Sequence, residues 1–132
     1  METKMIWANL ASDNLIATYE FYTKLGFESN NKHSSNENAS FNFGKNKFII
    51  NFFKRSKLET DINGAIGKWK TQSEIIFSLS ASNKEEVDKW CEKVREAGGT
   101  IFSEPQDYEL GYTFCFSDPD GHKFNVLYWP GM

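Results

Sequence analysis

The chain has no basic run. Its 15 Lys and Arg are interspersed among 18 Asp and Glu, for a formal net charge of −3. A nucleic-acid surface needs a stripe of cations that neutralises phosphates, so nucleic acid is not an expected partner. No apolar stretch approaches the roughly 20 residues of a membrane span, so a membrane is not one either. The N-terminus lacks a charged region followed by an apolar core. Secretion is therefore not indicated, and a cytoplasmic location is expected. Cysteine is scarce: Cys91 and Cys115 are isolated, and Cys91 lies on an apolar helical stripe. Both read as buried, reduced thiols, and no His signature accompanies either to make a nucleophile. Histidine is equally scarce, with His33 in a polar, solvated loop and His122 in a turn. Nothing brings the two together, which argues against a two-His metal site. A phosphate-cradling glycine loop is missing as well, because Gly98-Gly99 follows a helix instead of preceding one.

Aromatic residues are abundant at 16% of the 132 positions, with 12 Phe, 5 Tyr and 4 Trp. That is enough to line a cavity as well as fill a core. The length allows one compact unit, or two small modules sharing a core. The most legible stretch is the end of the chain. Asp118-Pro119-Asp120-Gly121 is a tight turn, since Pro presets φ, Asp bonds its own backbone and Gly closes the turn without steric cost. The apolar runs 112–116 and 123–129 on either side make a β-hairpin. His122 reads as a residue of that turn.

Upstream, residues 5–10 alternate as a short strand, with Ile6, Ala8 and Leu10 on one face and Met5, Trp7 and Asn9 on the other. Ser12-Asp13-Asn14 offers N-cap chemistry to a helix over 14–25, whose inward stripe is Leu15, Thr18, Phe21, Tyr22 and Leu25. Gly26 ends it. Residues 27–31 form a weak strand, 39–43 a strand, and 47–53 a strand apolar on both faces and hence central. Residues 54–73 show no clear periodicity and read as a long connection that covers a pocket or an interface through Ile62, Ile66 and Trp69. A strand follows over 74–80. Ser82-Asn83-Lys84-Glu85 fits a capping box for a helix over 84–97 that turns Val87, Trp90, Cys91, Val94 and Ala97 inward. The charges on its other side form a solvated face. Residues 100–103 are a strand and 104–110 a loop.

The chain repeats itself. Leu15, Thr18, Tyr22, Leu25 and Gly26 recur 72 positions later as Val87, Trp90, Val94, Ala97 and Gly98. One strand precedes each helix and three follow it. Two small sheets that each bury one face under a helix give an α+β fold.

Four pieces carry a family resemblance: Met5-Ile6-Trp7-Ala8-Asn9-Leu10, Phe21-Tyr22-Thr23-Lys24-Leu25-Gly26-Phe27, Glu104-Pro105-Gln106-Asp107-Tyr108 and Asp118-Pro119-Asp120-Gly121-His122. Together they resemble the vicinal-oxygen-chelate superfamily of glyoxalases, bleomycin-resistance proteins and extradiol dioxygenases. The resemblance implies two βαβββ modules around a U-shaped cleft in a single glyoxalase-like domain over 1–132, commonly assembled as a homodimer. Module 1 spans about 1–53, the connection 54–73 and module 2 about 74–132. In metal-dependent members, His and Glu ligands come from the first and last strands of each module. The matching positions here hold Trp7, Asn51, Glu74 and Asn125. An indole cannot bind a divalent ion, and neutral amides give it no charge. A lone carboxylate, Glu74, makes no tight site. A divalent metal is therefore disfavoured and no cofactor is expected.

The same register makes Trp7, Asn51, Glu74 and Asn125 candidate ligand-binding residues. Tyr112 joins them; with Tyr108 it flanks a loop, 109–111, that rims the cleft. Glu74, if buried among aromatics, becomes a candidate proton acceptor, because burial raises a carboxyl pKa. The bland alternative, an exposed strand-start residue, stands beside it. Phe48, Phe52, Phe53, Phe114, Trp69 and Trp129 are read mostly as core. The expected function is binding of an amphipathic or aromatic small molecule in an aromatic-lined cleft, without metal. Two alternatives stay open, a glyoxalase-like lyase or isomerase with Glu74 as base and a weakly bound metal, and a dimeric scaffold with a vestigial cleft. Whether the chain is an enzyme is left undecided by the sequence.

Overall fold

The computed structural model describes residues 1–30, 35–68, 70 and 72–131. His33 and Trp69 lie outside the described residues. The chain divides into two compact units, Met1–Gly67 and Lys68–Met132. Each holds one strand, one helix and three further strands, the expected βαβββ plan of an α+β protein, and the first adds a second helix after them.

In the first unit, β1 (Ala8–Ser12) leads into α1 (Leu15–Lys24), followed by β2 (Glu28–Ser29), β3 (Asn38–Phe43) and β4 (Phe48–Lys54). The sheet order is β1-β4-β3-β2, with β1 parallel to β4 and the other pairs antiparallel. β4 is central, as its two apolar faces require. One face of the sheet packs on α1. Phe21, Tyr22 and Leu25 descend onto Phe41, Phe43, Ile50 and Phe52, all at most 5% exposed. The Tyr22 ring stacks on Phe52 at 4.7 Å and meets Phe21 edge-on at 5.0 Å, geometries that the ring quadrupole favours. The cap of α1 is Asn14, whose side chain accepts from Ala17 N. Ser12 instead accepts from Asn14 N and shares a buried hydrogen bond with Thr18 at 2.8 Å.

β1 begins three residues later than residue 5, and Trp7 precedes it. Its pairing with β4 begins at Ala8↔Ile50, two residues into β4. Alternation in 5–10 had no means of showing where that pairing begins.

The 54–73 connection also departs from expectation. Its first part is a helix, α2 (Arg55–Ile62), that continues directly from β4 and closes on Asn63 in the left-handed conformation. Only Leu58 of α2 is buried, so the helical period is carried by one residue and cannot be read from the sequence. Arg55 holds the segment. Its Nε donates to Asp13 Oδ1 at 2.7 Å, and one terminal nitrogen donates to the carbonyls of Ile66 and Gly67 at 2.9 and 2.8 Å. Glu59 accepts from Ile66 N at 3.0 Å. Arg55→Ala is expected to cost about 1.5–3 kcal/mol, the usual range for losing hydrogen bonds to a charged group. It should also raise amide hydrogen exchange in 63–67 above the wild-type rate. Unchanged exchange there would show that the clamp is dispensable.

In the second unit, β5 (Ile76–Ser80) precedes α3 (Lys84–Glu96), then β6 (Thr100–Tyr108), β7 (Gly111–Ser117) and β8 (Lys123–Tyr128). The order β5-β8-β7-β6 repeats that of the first sheet, again with the outer pair β5–β8 parallel. Val87, Cys91 and Val94 of α3 pack over Phe114, Phe116, Phe124 and Val126. The rings of Phe116 and Phe124 stack at 5.2 Å.

The expected box at Ser82 and Glu85 sits one residue further on. Asn83 is the cap and accepts from Glu86 N, while the Glu86 carboxylate reaches back to Ser82 N. Asn at the cap position serves as well as Ser, so the sequence allowed either phase. Residues 104–108 are strand, not loop. β6 has two register irregularities, and it absorbs Pro105 inside the second, between Ser103 and Gln106. An edge strand tolerates proline because its outward N–H groups have no ladder partner. The β6–β7 turn is Glu109-Leu110, and β7 starts at Gly111, where a Cβ would lie 2.7 Å from the Tyr128 carbonyl oxygen.

The repeat has an inserted turn. The caps Asn14 and Asn83 are 69 positions apart, whereas Gly26 and Gly98 are 72 apart. α3 has 13 residues and α1 has 10, and the difference is about one helical turn.

Candidate ligand site

The face of each sheet away from its helix carries a row of small polar side chains. In the first unit Asn9 on β1 lies opposite Asn51 on β4, which lies opposite Ser40 on β3. Asn51 Nδ2 donates to Asn9 Oδ1 at 3.1 Å. In the second unit the corresponding row is Ser78, Asn125, Cys115 and Ser103 on β5, β8, β7 and β6. At the central strand of both rows stands an asparagine whose Oδ1 is buried. Neither Asn51 Oδ1 nor Asn125 Oδ1 has a hydrogen-bond partner among the described residues. Buried polar atoms are nearly always paired, so two such oxygens at equivalent places of a repeat mark those places out.

In the second unit the row opens on a pocket of about 340 Å³, near the lower end of the range for small-molecule sites. Its floor combines Ser103, Cys115 and Asn125 with Gln106, Thr113 and Leu127, and Asp107 and Tyr108 complete the lining. Most of its polar groups are already engaged. Thr113 Oγ1 donates to the Val126 carbonyl at 2.8 Å, Gln106 Nε2 to Ser103 Oγ at 2.8 Å, and Lys84 Nζ to Asp107 at 2.7 Å. Burial pushes the Cys115 thiol up from its ordinary 9.0.

The first unit holds two further concavities. One, of about 620 Å³, is lined by Met5, Glu28, Asn42 and Ile49 among others, and a wider groove of about 1320 Å³ lies along the starts of α1 and α2. Neither is lined by Trp7 or Asn51.

The sequence-predicted residues therefore separate. Asn125 lines the second-unit pocket, and Asn51 holds the matching place in the first unit. Trp7 is 51% exposed ahead of β1. Glu74 precedes β5 and is exposed, in keeping with the bland alternative and without the burial its role as a base relies on. With the helices aligned at their caps, the residue matching Trp7 is Ile76, two places beyond Glu74. Tyr112 does not line the pocket. It turns toward α3, where its hydroxyl donates to Asp88 at 2.8 Å, and that bond holds its pKa above the ordinary 10.0. Tyr108, its companion across the turn, is the one that lines it. Cys115, Thr113, Ser103 and Gln106 were not read as site residues. The available signal was the hairpin register, which sets Cys115 opposite Asn125.

Cys91 is shifted upward like Cys115, burial being the largest cause in both. A thiol with a raised native pKa binds its proton more tightly folded than unfolded. Stability is therefore full below the ordinary thiol pKa of 9.0 and declines as pH rises through it. Only Cys91 is buried as expected; Cys115 is half-buried at the pocket. Cys91 should react with a disulfide reagent at pH 7.5 far more slowly folded than in denaturant, and equal rates in the two states would contradict its burial.

The positions that the family resemblance gives to metal ligands do not suit a divalent ion. They hold an exposed indole, an exposed carboxylate and two neutral amides. Among the described residues, the one gathering of three metal-donor side chains is elsewhere. Asp118, Asp120 and His122, all buried in the β7–β8 turn, bring ligand atoms within 4.8 Å of one another. Asp118 Oδ1 already accepts from Asp120 N and His122 N, each at 2.9 Å, and none of the three residues lacks a partner. This is the hydrogen bonding of a turn. Among the described residues, no helix is long and apolar enough to cross a membrane.

Comparison with known proteins agrees with this architecture. Residues 4–126 match the profile of the Glyoxalase/Bleomycin resistance protein/Dioxygenase superfamily. A hypothetical protein from S. aureus superposes with a TM-score of 0.85 at 27% identity, covering 97% of this chain and 95% of its own. A lactoylglutathione lyase from Agrobacterium tumefaciens gives 0.70 at 20% identity, covering 96% and 95%. The fosfomycin resistance protein FosX from Mesorhizobium loti gives 0.70 at 14%, covering 97% and 93%. The last two likenesses are of fold. No curated protein matches the chain.

Proposed function

We propose that this chain, which belongs to the glyoxalase/bleomycin resistance protein/dioxygenase superfamily, binds an amphipathic or aromatic small molecule with no resident metal and no bond chemistry. One observation carries the reading. Where metal-dependent relatives would place charged ligands, Asn51 and Asn125 present buried, unpartnered amide oxygens. An unsatisfied buried acceptor costs about 1–3 kcal/mol, and a ligand donor recovers that energy while apolar burial supplies affinity. The second-unit pocket, with Leu127 and Tyr108 around Asn125, supports it. The alternative, a lyase or isomerase with Glu74 as base, gains nothing from an exposed residue ahead of β5. A homodimer remains part of the proposal. The exposed Trp7, Ile76 and Phe102 are in keeping with it, and sedimentation at twice the chain mass is the result expected.

The test of the metal-free reading is direct. The chain is incubated with nickel or zinc, desalted, and its metal counted by elemental analysis. Well under one equivalent per chain and an unchanged Tm are expected. One equivalent per chain, lost in Glu74→Gln, would establish the enzyme alternative instead.

A further inference from the structure

We infer that the second-unit pocket selects small aromatic molecules that carry an uncharged N–H or O–H donor, and that Asn125 is the residue that sets this preference. The inference rests on the binding role proposed above and adds the chemistry of the ligand.

Three observations meet at this pocket. Ser103, Gln106 and Thr113 already hydrogen-bond within the unit, and Asp107 is held by Lys84. The buried side-chain oxygen of this lining without a partner among the described residues is Asn125 Oδ1, an acceptor. No Lys, Arg or His lines the pocket, so nothing there balances an anion. The remaining lining, Leu127, Cys115 and Tyr108, is apolar or aromatic. An entering ligand that brings a donor satisfies an atom that is otherwise unpaired. One that brings only acceptors leaves that atom unpaired, and sites with a buried polar group left unpaired discriminate strongly. The amide's terminal torsion is broad and soft, so a small turn presents the oxygen to the pocket.

The first unit repeats the arrangement independently. Asn51 occupies the same place on its central strand, and its Nδ2 is tied to Asn9 Oδ1, which leaves the oxygen as its unpaired end.

The probes are indole and 1-benzothiophene, two bicyclic aromatics of nearly the same shape that differ in the N–H. The full chain is titrated with each and followed by amide and methyl NMR shifts. Indole should bind at least tenfold more tightly, with shifts centred on Ser103, Thr113, Cys115 and Leu127. Indole-3-carboxylate should bind more weakly than indole. Asn125→Leu should keep benzothiophene binding and lose the indole advantage, whereas Asn125→Asp, which keeps the shape and an acceptor, should retain it. If Asn125→Leu does not fold, the two probes on wild type and on Asn125→Asp decide the matter. Equal binding of both probes in the pocket overturns the donor preference and leaves the binding role standing. Binding of neither overturns both, and indole shifts confined to other residues overturn the pocket.

Discussion

Phe52→Ala is expected to destabilise the first unit by about 3–5 kcal/mol, the range for truncating a buried aromatic. Phe52 is fully buried on the central strand β4. Its ring stacks on Tyr22 at 4.7 Å and meets Phe41 edge-on at 6.5 Å. Removing it takes away the transfer energy of the ring and leaves a cavity that α1 and the sheet cannot close together, because both sides are held by their own hydrogen bonds. The neighbouring Phe53 is the control. It points to the opposite face and is half-buried, so Phe53→Ala should cost well under half as much. Urea unfolding measures both. The expected signature is a lower midpoint at constant slope for Phe52→Ala. Similar losses for the two variants would mean that the helix-covered face is not the core of this unit.

The second large effect lies in the final hairpin. Asp118 is 3% exposed, and one of its oxygens accepts from the backbone N–H groups of both Asp120 and His122. The turn is closed further by Asp118 N donating to His122 O and by Gly121 N donating to Asp118 O, each at 3.0 Å. Asp118→Ala would strand two N–H groups in a buried turn, at about 1–3 kcal/mol each, so a loss of about 2–5 kcal/mol is expected. Asp118→Asn keeps an oxygen in place without its charge. Since charged acceptors make bonds about twice as strong as neutral ones, it should recover roughly half the loss. The pair also distinguishes a turn from a metal centre. A structural ion on Asp118, Asp120 and His122 would make Asn as damaging as Ala and would make wild-type Tm fall with chelator. An unchanged Tm in chelator and an intermediate Asn variant are expected.

These two sites differ in how they could be read. Asp118-Pro119-Asp120-Gly121 is local: proline, glycine and the Asx side chain specify the turn within a few residues, so both flanking strands follow. Phe21, Tyr22, Phe41 and Phe52 were legible as an inward set because a helix period of 3.6 and a strand period of 2 both pointed them one way. α2 was illegible because a single buried residue, Leu58, carries no period. The strand over 104–108 was illegible because Pro105 and its polar neighbours read as loop, while their pairing with β7 is non-local. Trp7 and Glu74 were placed by register alone. Their exposure depends on where β1 and β5 begin, which is set by where their pairing with β4 and β8 begins.

The sequence by itself determined the duplicated strand–helix–three-strand plan, the two aromatic cores and the replacement of charged donors by an indole and two amides. The first two follow from residue type and short-range periodicity, and the third is what the family resemblance implies. Only the tertiary structure decided that Asn51 and Asn125 keep an unpartnered oxygen, that Tyr112 turns to Asp88 and leaves Tyr108 at the pocket, and that Arg55 ties down 66–67. The reason is physical. Whether a polar atom is satisfied depends on what pairing across strands brings within about 3 Å of it, and that distance is fixed by partners far away in the chain.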